Sequence, residues 1–203
     1  MTAPTIAEMK TLLANIKAIE PDSWGQGFVE SLINQVDRGR TLSSRQVEVY
    51  EQTASQYTKE ARQDAEKWPQ IYRDQHREDA LKIAAYYLNT AYYNHMSRNI
   101  LQRPDYVPPL RQYKKMVGNK YAQRVLDEYE GDPKYAPGAL VVPRANAPWA
   151  VRNAIKKGAV IIRDDLPIKS AAKGARTYSL LPIGGTKQVE AEERHLKVLR
   201  RKK

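Results

Sequence analysis

Cysteine is absent from this 203-residue chain. That excludes a disulfide framework, a zinc site built on thiolates and a cysteine nucleophile, and it suits a reducing compartment. Histidine is scarce. His76, His95 and His195 lie far apart and form no His-x-x-x-His pair, so helical zinc ligation of the metalloprotease kind has no support. Long apolar runs are also lacking, so no membrane span is expected, and the opening Met1-Thr2-Ala3-Pro4 does not lead into the basic and apolar stretches of a signal peptide. The expected location is the cytoplasm. Nucleotide-loop order is missing as well: Gly184-Gly185-Thr186-Lys187 has suitable residue types in the wrong order and spacing. It reads as a hairpin turn whose backbone could approach a phosphate. No repeat of fixed period is visible, which argues against solenoids and propellers.

Tyrosine and positive charge are what the chain has in excess. Thirteen Tyr stand against one Phe and three Trp, an amphipathic aromatic set able to close a core at its wet edge or to stack on bases. The charge is segregated: residues 131–203 hold 16 Lys and Arg against 6 Asp and Glu, while residues 1–130 hold 18 against 17. An electropositive surface attracts polyanions and supplies the counterion-release term that drives nucleic-acid binding. DNA or RNA is therefore the expected partner.

The first 130 residues read as helices. Ile6, Met9, Leu12, Leu13, Ile16 and Ile19 recur at three- and four-residue spacing over 4–20, and Pro21 ends the pattern. Trp24, Phe28, Leu32 and Val36 define a second helix over 23–37, with Gly39 at its C-terminal cap. Ser43 and Gln46 form a capping box, flanked by Leu42 and Val47 as a staple. A third helix is expected from there until Trp68-Pro69 interrupts it. A fourth, over 70–101, carries the pairs Tyr86-Tyr87 and Tyr92-Tyr93; neighbours on a helix point about 100° apart, so at least two of these rings should lie near the surface. After the proline-rich connector at 103–109, a fifth helix over 110–129 has Arg111, Lys114, Lys115, Lys120 and Arg124 on one side. Gly131-Asp132-Pro133 ends it.

Beyond Tyr135 the period changes. Runs at 138–144, 159–163, 177–183 and 187–191 are apolar or β-branched and are set off by glycines, giving four or five short strands. Pro148 and Gly158 bracket a loop or one short helix. Pro143 lacks a ladder donor and implies an edge or bulged strand. The fold class is α+β, an all-α region followed by a small β-barrel. The expected parts are a helical domain at 1–103, a linker and basic helix at 104–133, a barrel at 134–199 and a basic tail at 200–203.

Tyr135-x-x-Gly138-Ala-Leu-Val-Val-x-Arg144, followed by Gly158-Ala-Val-Ile-Ile, resembles the opening of SH3-like barrels of ribosomal and transcription-elongation proteins. The resemblance implies a barrel whose exposed strand positions and loops touch nucleic acid or protein. Separately, the pattern from Trp24 through Phe28, Leu32, Gly39 and Leu42 to Gln46 is similar to a helical hairpin of tailed-bacteriophage proteins, which implies an accessory protein working in a host cytoplasm. It implies no activity.

Candidate nucleic-acid contacts are Arg144, Trp149, Arg152, Lys156, Lys157, Arg163, Lys169, Lys173, Arg176 and Lys187, with Trp149 open to either core packing or base stacking. Removing Lys169, Lys173 and Arg176 together is expected to weaken binding without unfolding the chain. Tyr135 and Tyr178 are expected to pack. No catalytic residue, metal ligand or cofactor is expected. The function read from these residues is non-catalytic nucleic-acid binding, with the helices oligomerising or docking on a replication, recombination or transcription protein. One rival is an adaptor or inhibitor whose basic surface meets an acidic protein. The other is a metal-dependent nuclease built on Asp164 and Asp165 or on Asp127, Glu128 and Glu130, residues that also suit an ordinary turn and a helix end.

Overall fold

Capping chemistry sets the helix boundaries. The computed structural model describes residues 3–199, so the basic tail lies outside the described residues. Helix α1 (Ile6–Ile19) begins at a reciprocal box in which Thr5 accepts from the Glu8 N–H and the Glu8 carboxylate accepts from the Thr5 N–H. Helix α2 (Trp24–Asp37) is capped by Ser23 and closes where Gly39, at φ 71°, turns its N–H back to Val36. Helix α3 (Ser44–Ala54) carries the expected box of Ser43 and Gln46.

The third helix does not run on to Trp68. It stops at Ala54, and Thr58 caps a new helix, α4 (Lys59–Ile71), by accepting from the Ala61 N–H. Pro69 lies inside α4, and a π turn at Tyr72–His76 follows before α5 (Arg77–Tyr87). The helix expected over 70–101 is likewise divided: after α5 the chain turns, Tyr93 adopts a left-handed conformation (φ 53°), and α6 (Asn94–Gln102) begins. The one expected over 110–129 breaks at Gly118-Asn119 into α7 (Leu110–Val117) and α8 (Lys120–Glu130), where Asn119 Oδ1 accepts from the N–H groups of Tyr121 and Ala122. In each case a short turn leaves the apolar periodicity nearly in phase, so the period alone reads through it.

The described chain forms two compact units. One comprises Met1–Arg77 and Val107–Lys114. Its core sets Met9, Leu12 and Ile16 of α1 against Val29 and Leu32 of α2, with Tyr50 and Tyr57 closing the edge. The Tyr57 hydroxyl reaches Glu20 Oε2 at 2.9 Å, so the ring is buried while its polar tip is satisfied. Trp68 packs against Tyr72, His76 and Tyr113 at centroid distances of 5.0–5.5 Å, and its indole N–H donates to the Pro108 carbonyl at 2.8 Å.

The other unit comprises Glu78–Tyr106 and Lys115–Lys203. It joins helices to an antiparallel sheet of β1 (Leu140–Pro143), β2 (Ala159–Leu166), β3 (Thr177–Pro182), β4 (Val189–Glu192) and β5 (Leu196–Val198), in the order β4-β3-β2-β1-β5. A short helix, α9 (Trp149–Ala154), lies between β1 and β2, and a 3-10 turn at Glu193–His195 precedes β5. The chain is thus α+β, and its sheet is not closed. Strand β1 is interior rather than an edge. Its pairing with β2 covers only Leu140 and Val141, so Pro143, the last residue of the strand, faces no β2 neighbour that would need its missing donor. The irregularities fall instead in β2, between Ile161 and Arg163 and between Arg163 and Leu166. Val141, Ile155, Ile161, Tyr178, Leu180 and Leu196 form the sheet's core with Tyr135. Gly158, at φ 100°, enters β2 where an added Cβ would stand 3.1 Å from Ile183 and 3.3 Å from the Val141 carbonyl. Among the described residues, no helix is long and apolar enough to cross a membrane.

Burial pushes the phenols of Tyr50, Tyr57, Tyr86 and Tyr87 upward. It does so most for Tyr178, where the bond to the Glu193 carboxylate adds to it. An unfolded tyrosine releases its proton near pH ~10. Above that pH the folded chain therefore holds more protons than the unfolded one, and stability falls by at most about 1.4 kcal/mol per pH unit for each such group, until the pH passes that group's raised folded-state value. Melting followed by circular dichroism is expected to be level with respect to these groups up to about pH 9 and to drop steeply above about pH 10. An unfolding midpoint that stays level from about pH 9 to beyond about pH 11 would contradict this.

Candidate nucleic-acid interface

Helix α9 is oriented by what it buries. Val151 and Ile155, four residues apart, pack on the sheet core, and Gly158 returns its N–H to the Ile155 carbonyl at 2.8 Å. The opposite face then carries Trp149, Arg152 and Asn153 at spacings of three and four residues, and Lys156 follows in the turn after Ala154. All are exposed, as is Lys157. Trp149 is 72% exposed, which decides between core packing and the surface in favour of the surface. Among the described residues, Arg152, Lys156 and Lys157 have no carboxylate within ion-pair distance. Helix α9 also packs against β4, the strand that the exposed turn carrying Lys187 leads into.

The other candidates divide by commitment. Arg144 donates from Nε to the Leu196 carbonyl at 2.7 Å, which fixes its stem across β1 and β5. Arg163 forks onto Asp165, with Nε to Oδ1 at 2.9 Å and a guanidinium N–H to Oδ2 at 3.1 Å; this pair holds the exposed Asp165 carboxyl below its usual range. Lys169 pairs with Glu190. Arg176 donates to the carbonyls of Glu128 and Gly131 at the end of α8, so it fastens a helix. Lys173 and Lys187 are exposed and, among the described residues, without an ion pair.

Lys173 borders a cleft of about 470 Å³ with Arg124, Asp127, Glu128, Ala171 and Ala172. The Glu128 carboxylate accepts from the Gly174 N–H at 2.7 Å, which makes it a loop anchor. Tyr178 is fully buried, and its hydroxyl donates to Glu193 Oε2 at 2.7 Å. The same carboxylate accepts from the Lys134 N–H at 3.1 Å and thereby fixes the chain's entry into the sheet. Tyr135 is buried as well. Among the described residues, no group of three or more His, Asp or Glu side chains is placed to hold a metal ion.

Two features escaped the sequence reading. Lys134 and Lys197 join Arg144 around a cleft of about 620 Å³ that also touches Tyr135, Val142 and Val198. Lys197 was findable, since Leu196 beside it is buried and alternation sends its neighbour outward. The second is a pocket lined by tyrosines near the start of α8, assembled from segments about 30 residues apart and carrying no local signature. Comparisons with protein-family models, with curated proteins and with solved structures find no match.

Proposed function

We propose that this protein is a non-catalytic nucleic-acid-binding accessory factor, of the tailed-phage kind that residues 24–46 resemble, whose sheet-bearing unit contacts the phosphate backbone through α9 and the loops beside it. The observation that carries this reading is the exposed surface of α9 and the turn after it: Trp149 and Arg152 on the helix, then Lys156 and Lys157, with the three cations free of ion pairs among the described residues. Unpaired cations lower the free energy of a bound polyanion by releasing its counterions, and an exposed indole offers a face on which a base can stack. We read the sheet as a variant of the SH3-like barrel. Adjacent first and last strands, a β2-β3-β4 meander and the irregularities that bend β2 support that reading.

The test is anisotropy of labelled single- and double-stranded DNA and RNA with the full-length chain across a salt series. Binding should weaken linearly on a log–log scale as salt rises. Trp149→Ala should lower single-strand affinity by about 5- to 100-fold while leaving the salt slope unchanged, because stacking releases no counterion. Absence of binding to every form at physiological salt would overturn the reading and turn the search toward an acidic protein partner.

A further inference from the structure

We infer that the tyrosine-lined pocket of the sheet-bearing unit seats one unstacked base of a single strand, with the adjoining phosphate at Lys120. The inference rests on the nucleic-acid reading above and adds a strand form to it.

The pocket encloses about 510 Å³, within the range of small-ligand sites, and Tyr87, Tyr92, Tyr93, Asn119, Lys120 and Tyr121 are among its lining. Its floor is a ring cluster. Tyr86 and Tyr87 lie 4.8 Å apart between centroids, and Tyr93 meets Tyr87 edge-on at 5.0 Å. Its rim is open: Tyr92 is 73% exposed and Tyr121 49%.

The floor and the backbone around it are held in place before any ligand arrives. The Thr90 hydroxyl accepts from the Tyr92 N–H at 3.2 Å and donates to the Tyr87 carbonyl at 3.1 Å. Asn119 donates from Nδ2 to the Tyr87 hydroxyl at 2.7 Å while its Oδ1 caps α8. Tyr93 is left-handed, a conformation that costs a bulky residue free energy and persists only where its surroundings enforce it. A fixed aromatic floor lowers the ordering cost of binding a flat ring.

Charge selects the occupant. The Lys120 ammonium stands 5.1 Å from the Tyr121 ring centroid, the first turn of α8 contains no acidic residue, and no carboxylate lines the pocket. An electropositive, aromatic, acid-free pocket matches a ligand that joins planar rings to negative charge. A proline-rich peptide with basic flanks would find no acid here. In a duplex the base faces are covered by their neighbours, so only a single strand can present one.

The experiment compares the full-length protein with its Tyr92→Ala/Tyr121→Ala, Tyr92→Phe/Tyr121→Phe and Lys120→Gln variants. The probes are a short fluorescein-labelled oligothymidylate and a duplex of the same length. Both tyrosines are exposed, so the substitutions leave the packed floor intact. The Ala pair should lose about tenfold or more in affinity for the single strand with duplex affinity unchanged, and the Phe pair should keep it. Lys120→Gln should reduce the single-strand salt slope by about 0.7. If the parent protein binds both probes and the Ala pair binds the single strand equally well, the pocket assignment fails while the nucleic-acid reading stands. If the parent binds neither probe, both fall together. A drop in oligomer mass by light scattering on making the Ala pair would assign the pocket to a second copy of the chain and overturn the proposal.

Discussion

Replacing Arg176 with Ala is expected to lower the unfolding midpoint of the sheet-bearing unit by roughly 10 °C, about 3 kcal/mol. The last carbonyls of a helix have no partner within it, and a cation there meets the negative end of the dipole. Arg176 supplies both functions to α8, through its bonds to Glu128 and Gly131 and a longer one to Tyr129 at 3.4 Å. The same loop is tied down by the Ile168 N–H on the Tyr129 hydroxyl at 3.0 Å and by the Gly174 N–H on Glu128. Losing the guanidinium removes several charge-assisted bonds, each worth about 1.5–3 kcal/mol net when buried and less here because water can replace part of them. Arg176→Lys keeps the charge but loses the terminal guanidinium nitrogen that reaches all three carbonyls, and should recover less than half of the loss. Lys173→Ala, three residues away, should leave the midpoint unchanged, since no ion pair is broken among the described residues. The sequence-based expectation that Lys169, Lys173 and Arg176 can be removed together without harm to the fold is thereby divided. A melting curve of Arg176→Ala that overlays the parent's would show the clamp to be dispensable.

The second large effect concerns α9. With Arg152, Lys156 and Lys157 all changed to Gln, nucleic-acid affinity at physiological salt should fall by about a hundredfold, near fivefold for each phosphate no longer neutralised. The log–log salt slope should flatten by about two to three units. Stability should not fall, because none of these side chains forms an ion pair among the described residues. Anisotropy over a salt series gives affinity and slope together, and a thermal melt gives the control. A slope equal to the parent's would mean that phosphates lie elsewhere, with the cleft bordered by Lys134, Arg144 and Lys197 the next place to look.

How much was legible depends on how local the determinant is. Ser43 with Gln46, Gly39 after α2, and Pro148 with Gly158 around α9 all act within a few residues, and each stands where its sequence neighbourhood implies. The strand runs were equally plain, since alternation and glycine punctuation are local too. The breaks at residues 55–58, 88–93 and 118–119 were not, although Thr58 and Asn119 are ordinary capping residues. An apolar stripe that stays in phase across a tight turn looks like one helix until its backbone hydrogen bonds are traced. Pro143 misled for a related reason: a missing donor argues for an edge only if a neighbour needs it, and the short register with β2 means that none does.

Residue chemistry and near neighbours were enough to establish an α+β chain without thiols, rich in tyrosine, with its positive charge gathered in the last third. The packed fold was needed to separate the cations committed to structure, as Arg176 is to α8 and Arg163 to Asp165, from those that remain open, as Arg152 does on α9 and Lys156 and Lys157 do in the turn after it. It likewise placed Trp149 outside and gathered tyrosines from α5, the turn after it and α8 around one pocket. A side chain's role depends on which carbonyl, carboxylate or ring the fold sets beside it. For Arg176 on α8 and Asn119 on Tyr87 those partners stand about 30 to 50 residues away, and they leave no trace in local pattern.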